Sequence, residues 1–485
     1  MIFKDAADFQ ASSFVPRVCI VGSGPAGISI ALKLAAARVP CVILEAGADE
    51  WTEDSQDVYR GEVVGDHYFD LDMTRLRYFG GSSNHWAGWC RVLDAHDFEP
   101  KAYVEHTGWP IGRGDIDPFL DETRDVLDLA PFQADRAVSN DFRWFEMRKS
   151  QPVRFREKYA RPLADSDLIA LVLNTQVDVL VGDGTAVTAA KIRSRGAEAG
   201  ELVAPFFVVA TGGLENSRLL LWSNERSNGG VVPHAGALGR YWMEHPMFEV
   251  GSGFVTDVDA MGFDHEGDAF FTPTAEVMAA REVLNFHVQI ESMPYHGVRK
   301  FIAETACLMP ETTEWVSETL GLKLQCSARL HMAWEQPPRE HNRVALSVTE
   351  RDAAGIPRIE LHWKKDDLDR RTMLEGIRMF GEAFARKDLG RARISDWVRD
   401  GGDWPEDMEI AGNHHMGGTR MGENLSTSVV DANCKVHGMV NLYVAGSSVF
   451  ATGGQCTPTT TITALALRLG DHLGRVAGST TAARL

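Results

Sequence analysis

Apolar residues in this chain fall into short runs separated by glycine-rich turns. Val18–Val21 is a four-residue apolar run, an amphipathic helical pattern follows to about Arg38, and Cys41–Leu44 is a second run that ends at Glu45. This order predicts a strand, a helix and a second strand. Between residues 167 and 210 the runs LIALVLN, VDVLV, AVTAAKIRS and LVAPFFVVA alternate with Gly-Asp and other glycine turns. They predict strands, the last returning beside the first unit. Residues 245–403 mix strand-like pieces (VLNFHVQI, SARLHMAW, RVALSV) with one helical pattern near residues 368–387, which predicts antiparallel strands backed by helices. Residues 75–90, RLRYFGGSSNHWAGWC, are too irregular for a helix or a strand. Residues 411–473 join a histidine pair, a glycine-rich turn, a strand and a Thr-Pro helix start, so chemistry is expected there.

The first unit carries Gly22, Gly24 and Gly27 in a GxGxxG spacing. Gly22 permits the tight turn, Gly24 lets backbone N–H groups approach a pyrophosphate at the helix start, and Gly27 lets helix and strand pack closely. Glu45 then stands where a carboxylate accepts hydrogen bonds from a ribose hydroxyl, which leaves FAD and NAD both open. The loop Gly80, Gly81, Ser82, Ser83, Asn84, His85 offers further N–H groups and hydroxyls. A large, flat flavin explains why a second loop is needed.

Composition narrows the picture. The chain has 485 residues, 44% hydrophobic and 24% charged, enough for two or three domain-sized units of an ordinary globular protein. Its net charge of −19 has the wrong sign for a phosphate backbone and argues against nucleic acid. No run approaches the ~20 apolar residues of a membrane span. The start, MIFKDAADFQASSFVPR, lacks a basic segment, an apolar core and a twin-arginine pair, so a cytoplasmic location is expected. The seven cysteines are dispersed without a CxxC pair, which predicts reduced thiols and no metal site.

The GxGxxG unit closed by Glu45, GGSSNHW, GWPI at residues 108–111, ATGGLENSRLL, GRYWMEHP and the C-terminal segment together resemble the glucose-methanol-choline (GMC) flavoprotein oxidoreductases, in particular the sugar-dehydrogenase and pyranose-oxidase-like branch. The resemblance runs through nearly the whole chain in the family's order. It implies an α/β fold, α+β overall, in which a Rossmann-like FAD-binding domain (1–95, 165–240 and 405–485) carries an inserted antiparallel-sheet and helix substrate domain and cap (96–164 and 241–404). It also implies FAD held by the residues above together with Ala210, Gly212, Gly446, Pro458 and Thr459. The implied activity is oxidation of an alcohol, with a sugar or glycoside hydroxyl preferred and aryl or aliphatic alcohols, or a non-redox lyase with structural FAD, as alternatives. A flavin-binding subunit that serves electron relay or assembly is a further alternative. Oxygen or a soluble carrier would accept the electrons.

In that family a histidine takes the hydroxyl proton while hydride passes to flavin N5. His414 and His415 compete, and the spacing to Gly418 and Thr419 favours His415. The second catalytic position, usually Asn or His, is Thr457 here. Thr457 is expected to cap the last helix with Pro458 as its first residue, directing the helix N-terminus at the flavin. His85 matches the histidine that carries a covalent flavin in some members, and a non-covalent role is favoured. His245, in MEHP, is read as lining the substrate side or as structural.

Overall fold

The computed structural model describes residues 1–151, 154–292, 327–410 and 412–479, together with positions 302, 305, 307 and 309. Six strands form a sheet in the order Ile2–Phe3, Ile169–Val172, Cys41–Leu44, Val18–Val21, Phe206–Val209, Leu442–Val444, and every pair in it is parallel. The inner strands are buried on both faces, so they are apolar without alternation, as VCIV, CVIL and FFVV show. The chain leaves Val18–Val21 to build Cys41–Leu44 on one side and returns much later with Phe206–Val209 on the other. The crevice beyond the carboxyl ends at such a reversal is where ligands settle in open parallel sheets.

The helix Pro25–Ala36 starts at that crevice, and the last helix, Thr459–Ser479, packs along it. Their approach depends on Gly470, where a Cβ would stand 2.7 Å from the Lys33 Cβ.

A second, seven-stranded sheet runs Gly390–Ile394, Met247–Val255, Ala328–Trp334, Phe286–Ser292, Asp268–Pro273, Phe142–Phe145, Arg136–Ala137, and it is antiparallel throughout. The helix Asp367–Arg386 covers one face. Met373, Ile377, Phe380 and Phe384 recur at helical spacing on its buried side, and the Asp366 carboxylate accepts from the Leu368 and Asp369 N–H groups at its start.

Two expectations change. The run LVAPFFVVA is not one strand. Leu202 ends Ala197–Leu202 in a separate three-stranded sheet, Pro205 interrupts, and Phe206–Val209 enters the parallel sheet. Proline removes a ladder donor, so the break falls there. Among the described cysteines, Cys19, Cys41, Cys90, Cys434 and Cys456 are free and buried, but Cys307 is disulfide-bonded, against the expectation of reduced thiols. Spacing alone does not show which distant cysteines meet.

Candidate active site

A cavity of about 500 Å³ opens at the carboxyl ends of the parallel strands. Gly22 follows Val18–Val21, Glu45 follows Cys41–Leu44, Ala210 follows Phe206–Val209 and Gly446 lies two residues beyond Leu442–Val444, and all four line it. The helix Pro25–Ala36 points its N-terminus at the same space. Backbone N–H groups there have no intrahelical acceptor and favour an anion.

The glycines divide by function. Gly22 turns at φ +105°, where a side chain is strained, and its Cβ would strike the Ala210 carbonyl. Gly27 does not line the cavity; a Cβ there would lie 2.1 Å from the Gly22 carbonyl oxygen, so it serves helix–strand packing. A Cβ on Gly24 would meet nothing within 4 Å and would project into free space.

Glu45 is buried. Its Oε2 accepts from the Ser23 N–H (3.1 Å) and hydroxyl (2.5 Å), and its Oε1 from the Gly47 N–H (2.8 Å). Two carboxylate oxygens have about four acceptor sites, which leaves capacity for a ribose hydroxyl.

In the second loop Gly81, Ser82, Ser83 and His85 line the cavity, whereas Gly80 and Asn84 stand behind it. Asn84 donates to the Phe79 (2.9 Å) and Gly81 (3.0 Å) carbonyls and so fixes the short helical turn Gly81–Asn84. That turn, and the two-residue strand Trp89–Cys90, give this stretch more order than its composition suggests. His85 is exposed to the cavity, and burial followed by the Arg154 charge lowers its pKa.

Gly212, Pro458 and Thr459 complete the set of wall residues expected from sequence. Asn216 ties two walls together. Its Oδ1 accepts from the Thr211 N–H (2.7 Å) and its Nδ2 donates to the Ala445 carbonyl (2.8 Å).

The start of the last helix differs from expectation. The Ile462 N–H donates to the Pro458 carbonyl (2.8 Å), so the first turn begins one residue later than read from sequence. The Thr457 hydroxyl, read as a cap, donates to the Trp89 carbonyl (2.7 Å). Its single donor is thereby committed to the loop containing His85, although Thr457 still lines the cavity.

Arg75, Arg77, Gln176, Trp222 and Asn413 also line the cavity and were not foreseen. Arg75 sits over the Tyr59 ring (4.1 Å) and pairs with Glu215 (2.9 Å), which also pairs with Arg218 (3.2 Å). Burial alone would raise the Glu215 pKa, but the two guanidiniums outweigh it and the pKa is lowered. No local motif marks these residues, because their partners come from distant segments.

The histidine pair lines the same cavity as Glu45. An antiparallel bridge between Met243 and Met416 keeps this stretch extended, so the two rings face different ways. The His415 ring lies against Tyr68 and Trp242, with centroids 6.2 and 6.0 Å away. Its Nε2 is buried without a hydrogen-bond partner, and burial, then Arg75 and His85, push its pKa down to about 3. His414 is less buried, and its Nδ1 lies 2.8 Å from Nδ1 of His245. His245 Nε2 lies 2.8 Å from the Gly454 carbonyl, which only accepts, so His245 carries its proton on Nε2. Burial holds His245 down to about 4, so its Nδ1 is bare. His414 therefore donates from Nδ1 and holds its lone pair on Nε2.

A cavity lined by an anion-binding helix start, a ribose-type carboxylate and two neutral imidazoles fits FAD, and the bare wall at Gly24 leaves room for its phosphates. Residues 338–466 match the family model described as GMC oxidoreductase. 2-Methyl-1,2-propanediol dehydrogenase of Mycolicibacterium austroafricanum is 25% identical, over 94% of this chain and 95% of that protein. C-glycoside 3-oxidase of Microbacterium trichothecenolyticum is 27% identical, over 81% and 74%. The chain is similar to the GMC oxidoreductases.

Solved structures share this fold. Pyridoxine 4-oxidase superposes with a TM-score of 0.60 at 16% identity, over 95% of this chain and 99% of that one. Formate oxidase superposes at 0.58 and 17%, over 95% and 98%. The two sequence relatives are named as a dehydrogenase and an oxidase. Among the described residues, no helix is long and apolar enough to cross a membrane.

Proposed function

We propose that this chain is a GMC oxidoreductase and oxidises a hydroxyl of a sugar, a glycoside or a related small polyol with non-covalent FAD. The observation that carries this reading is a pair of neutral imidazoles lining the same cavity as Glu45 and the start of Pro25–Ala36. The relatives support the substrate class, since their names specify a diol and a C-glycoside. The N–H groups at the start of Pro25–Ala36, Glu45, the loop from Gly81 to His85, Ala210, Gly212 and Gly446 would hold the cofactor. Bound flavin supplies the acceptor for the hydride that leaves the alcohol carbon.

The chain's own part is to take and return the hydroxyl proton. A neutral imidazole with an available lone pair does this near neutral pH. Spacing favours His415, whereas geometry favours His414. The His414 tautomer leaves Nε2 bare on a partly open ring, and the His415 Nε2 is enclosed. His415 and Thr457 then shape the wall beside the substrate. Strand placement also supports the domain division, since the parallel sheet draws only on 1–95, 165–240 and 405–485, and the seven-stranded sheet only on 96–164 and 241–404.

The test is a panel of sugars, methyl glycosides, 1,2-diols and aryl alcohols, assayed in parallel with oxygen and with a dye acceptor. His414→Ala is expected to abolish turnover while retaining flavin, and His415→Ala to retain part of it. The reverse ranking would return the base to His415. Absence of turnover across the panel, with no bleaching of the flavin under anaerobic conditions, would refute alcohol oxidation. Yellow colour is expected in the supernatant after acid precipitation; colour retained in the pellet would mean a covalent link at His85.

A further inference from the structure

We propose that His245 is a positioning residue that fixes the tautomer of His414 and shares the proton His414 receives, while Glu244 clamps the same residue through its backbone. This rests on the reading of His414 as base. Adjacent residues of the MEHP segment grip one histidine at two points. The Glu244 carboxyl accepts from the His414 N–H at 2.7 Å (Oε1) and 3.0 Å (Oε2), and from the Tyr68 hydroxyl at 2.5 Å. The His245 ring meets the His414 ring edge to face, with centroids 5.0 Å apart and the two Nδ1 atoms 2.8 Å apart. Glu244 and His245 are both almost wholly buried, so neither is a surface group that met His414 by chance.

The chain of hydrogen bonds has one direction. The Gly454 carbonyl accepts from His245 Nε2–H, so His245 Nδ1 must accept from His414 Nδ1–H. The Gly454 peptide is itself held, because its N–H donates to Glu335 Oε2 (3.0 Å), and Glu335 pairs with Lys101 (2.8 Å). The anchor thus reaches the second sheet and does not depend on the substrate.

When the substrate O–H bond breaks, an N–H bond forms at His414 Nε2 and the ring becomes an imidazolium. Its Nδ1 proton then lies between two nitrogens, and transfer to His245 Nδ1 leaves His414 neutral and His245 protonated at both nitrogens. Nothing is lost or gained in that step, and the charge is spread over two rings. The other ionisable groups around the pair are Glu244, Glu335, His287 and His415. A single imidazole in so buried a place would resist protonation.

Three variants of the holoenzyme, assayed on the best substrate of the panel, test the proposal. His245→Leu removes the acceptor, His245→Asn keeps an amide oxygen that can accept from His414 Nδ1–H, and His414→Ala removes the base. His245→Leu is expected to lower kcat on the order of 10-fold or more with little change in KM and unchanged flavin content. It should also move the acid limb of the pH profile down by about one unit. His245→Asn should restore most of kcat and the position of that limb. In 15N-histidine-labelled wild type, one proton resonance coupled to the His414 Nδ1 should be present, and absent in both His245→Leu and His414→Ala. A wild-type pH profile in His245→Leu, with His414→Ala inactive, would overturn the relay and leave the base standing. A harmless His414→Ala would remove the base, and the relay with it. Should His245→Leu fail to fold, a His414 protonated on Nε2 in the wild-type spectrum would overturn the proposal alone.

Discussion

The carboxyl of Glu244 and the backbone N–H of His414 lie 2.7 Å apart although 170 residues separate them in sequence. Two segments are joined there, and the carboxyl is pushed up to about 7 by burial, against the lowering effect of its hydrogen bonds from Tyr68, His245 and His414.

That shift has a sign. A carboxyl raised from 4.5 to about 7 on folding contributes stability that is full below pH 4.5 and is lost as pH rises through about 7. The differential is ~3 kcal/mol. Glu244→Gln should therefore lose less stability than wild type between pH 5 and pH 8. Urea midpoints of the two proteins at both pH values check this; parallel curves would refute it.

Gly24 and Gly27 separate cofactor binding from folding. Gly24→Ala places a methyl group in open space, so the apoprotein should melt as wild type does but bind flavin weakly. Gly27→Ala drives a methyl group into the Gly22 carbonyl and should destabilise the fold itself by about 1–3 kcal/mol. Thermal melts of the apoproteins and flavin titrations distinguish the two.

Arg218 neutralises two buried carboxylates. Its Nη2 lies 2.7 Å from Asp352, whose side chain is wholly enclosed, and its Nη1 3.2 Å from Glu215. Arg218→Met leaves an uncompensated buried charge and is expected to cost about 3–5 kcal/mol in a denaturant titration. Asp352→Asn combined with it should recover part of the loss.

Thr457→Val keeps the shape of the side chain and removes its bond to the Trp89 carbonyl. A loss of about 1 kcal/mol is expected, with helix content unchanged, because that hydroxyl holds the loop. A loss of helicity by circular dichroism would instead restore its capping role.

The amino-acid sequence by itself determined the parts whose causes are local. Short apolar runs ended by Gly22 and by Glu45 define Val18–Val21 and Cys41–Leu44 to the residue, and the i, i+3, i+4 spacing places the helix Asp367–Arg386 within one residue at each end. The glycine functions also follow from spacing, since a turn, a phosphate approach and a helix contact occur in a fixed order along one βαβ unit. Only the tertiary structure decided relations between distant residues. Thr457 looks like a cap beside its own proline, yet Trp89 takes its hydrogen bond from 368 residues away. His414 and His415 are neighbours that one-dimensional spacing ranks one way. Which of them presents a bare nitrogen depends on His245, Gly454 and Glu244, brought together from segments far apart in sequence. Hydrogen-bond direction passes from group to group in space, and a tautomer is settled at the end of that path.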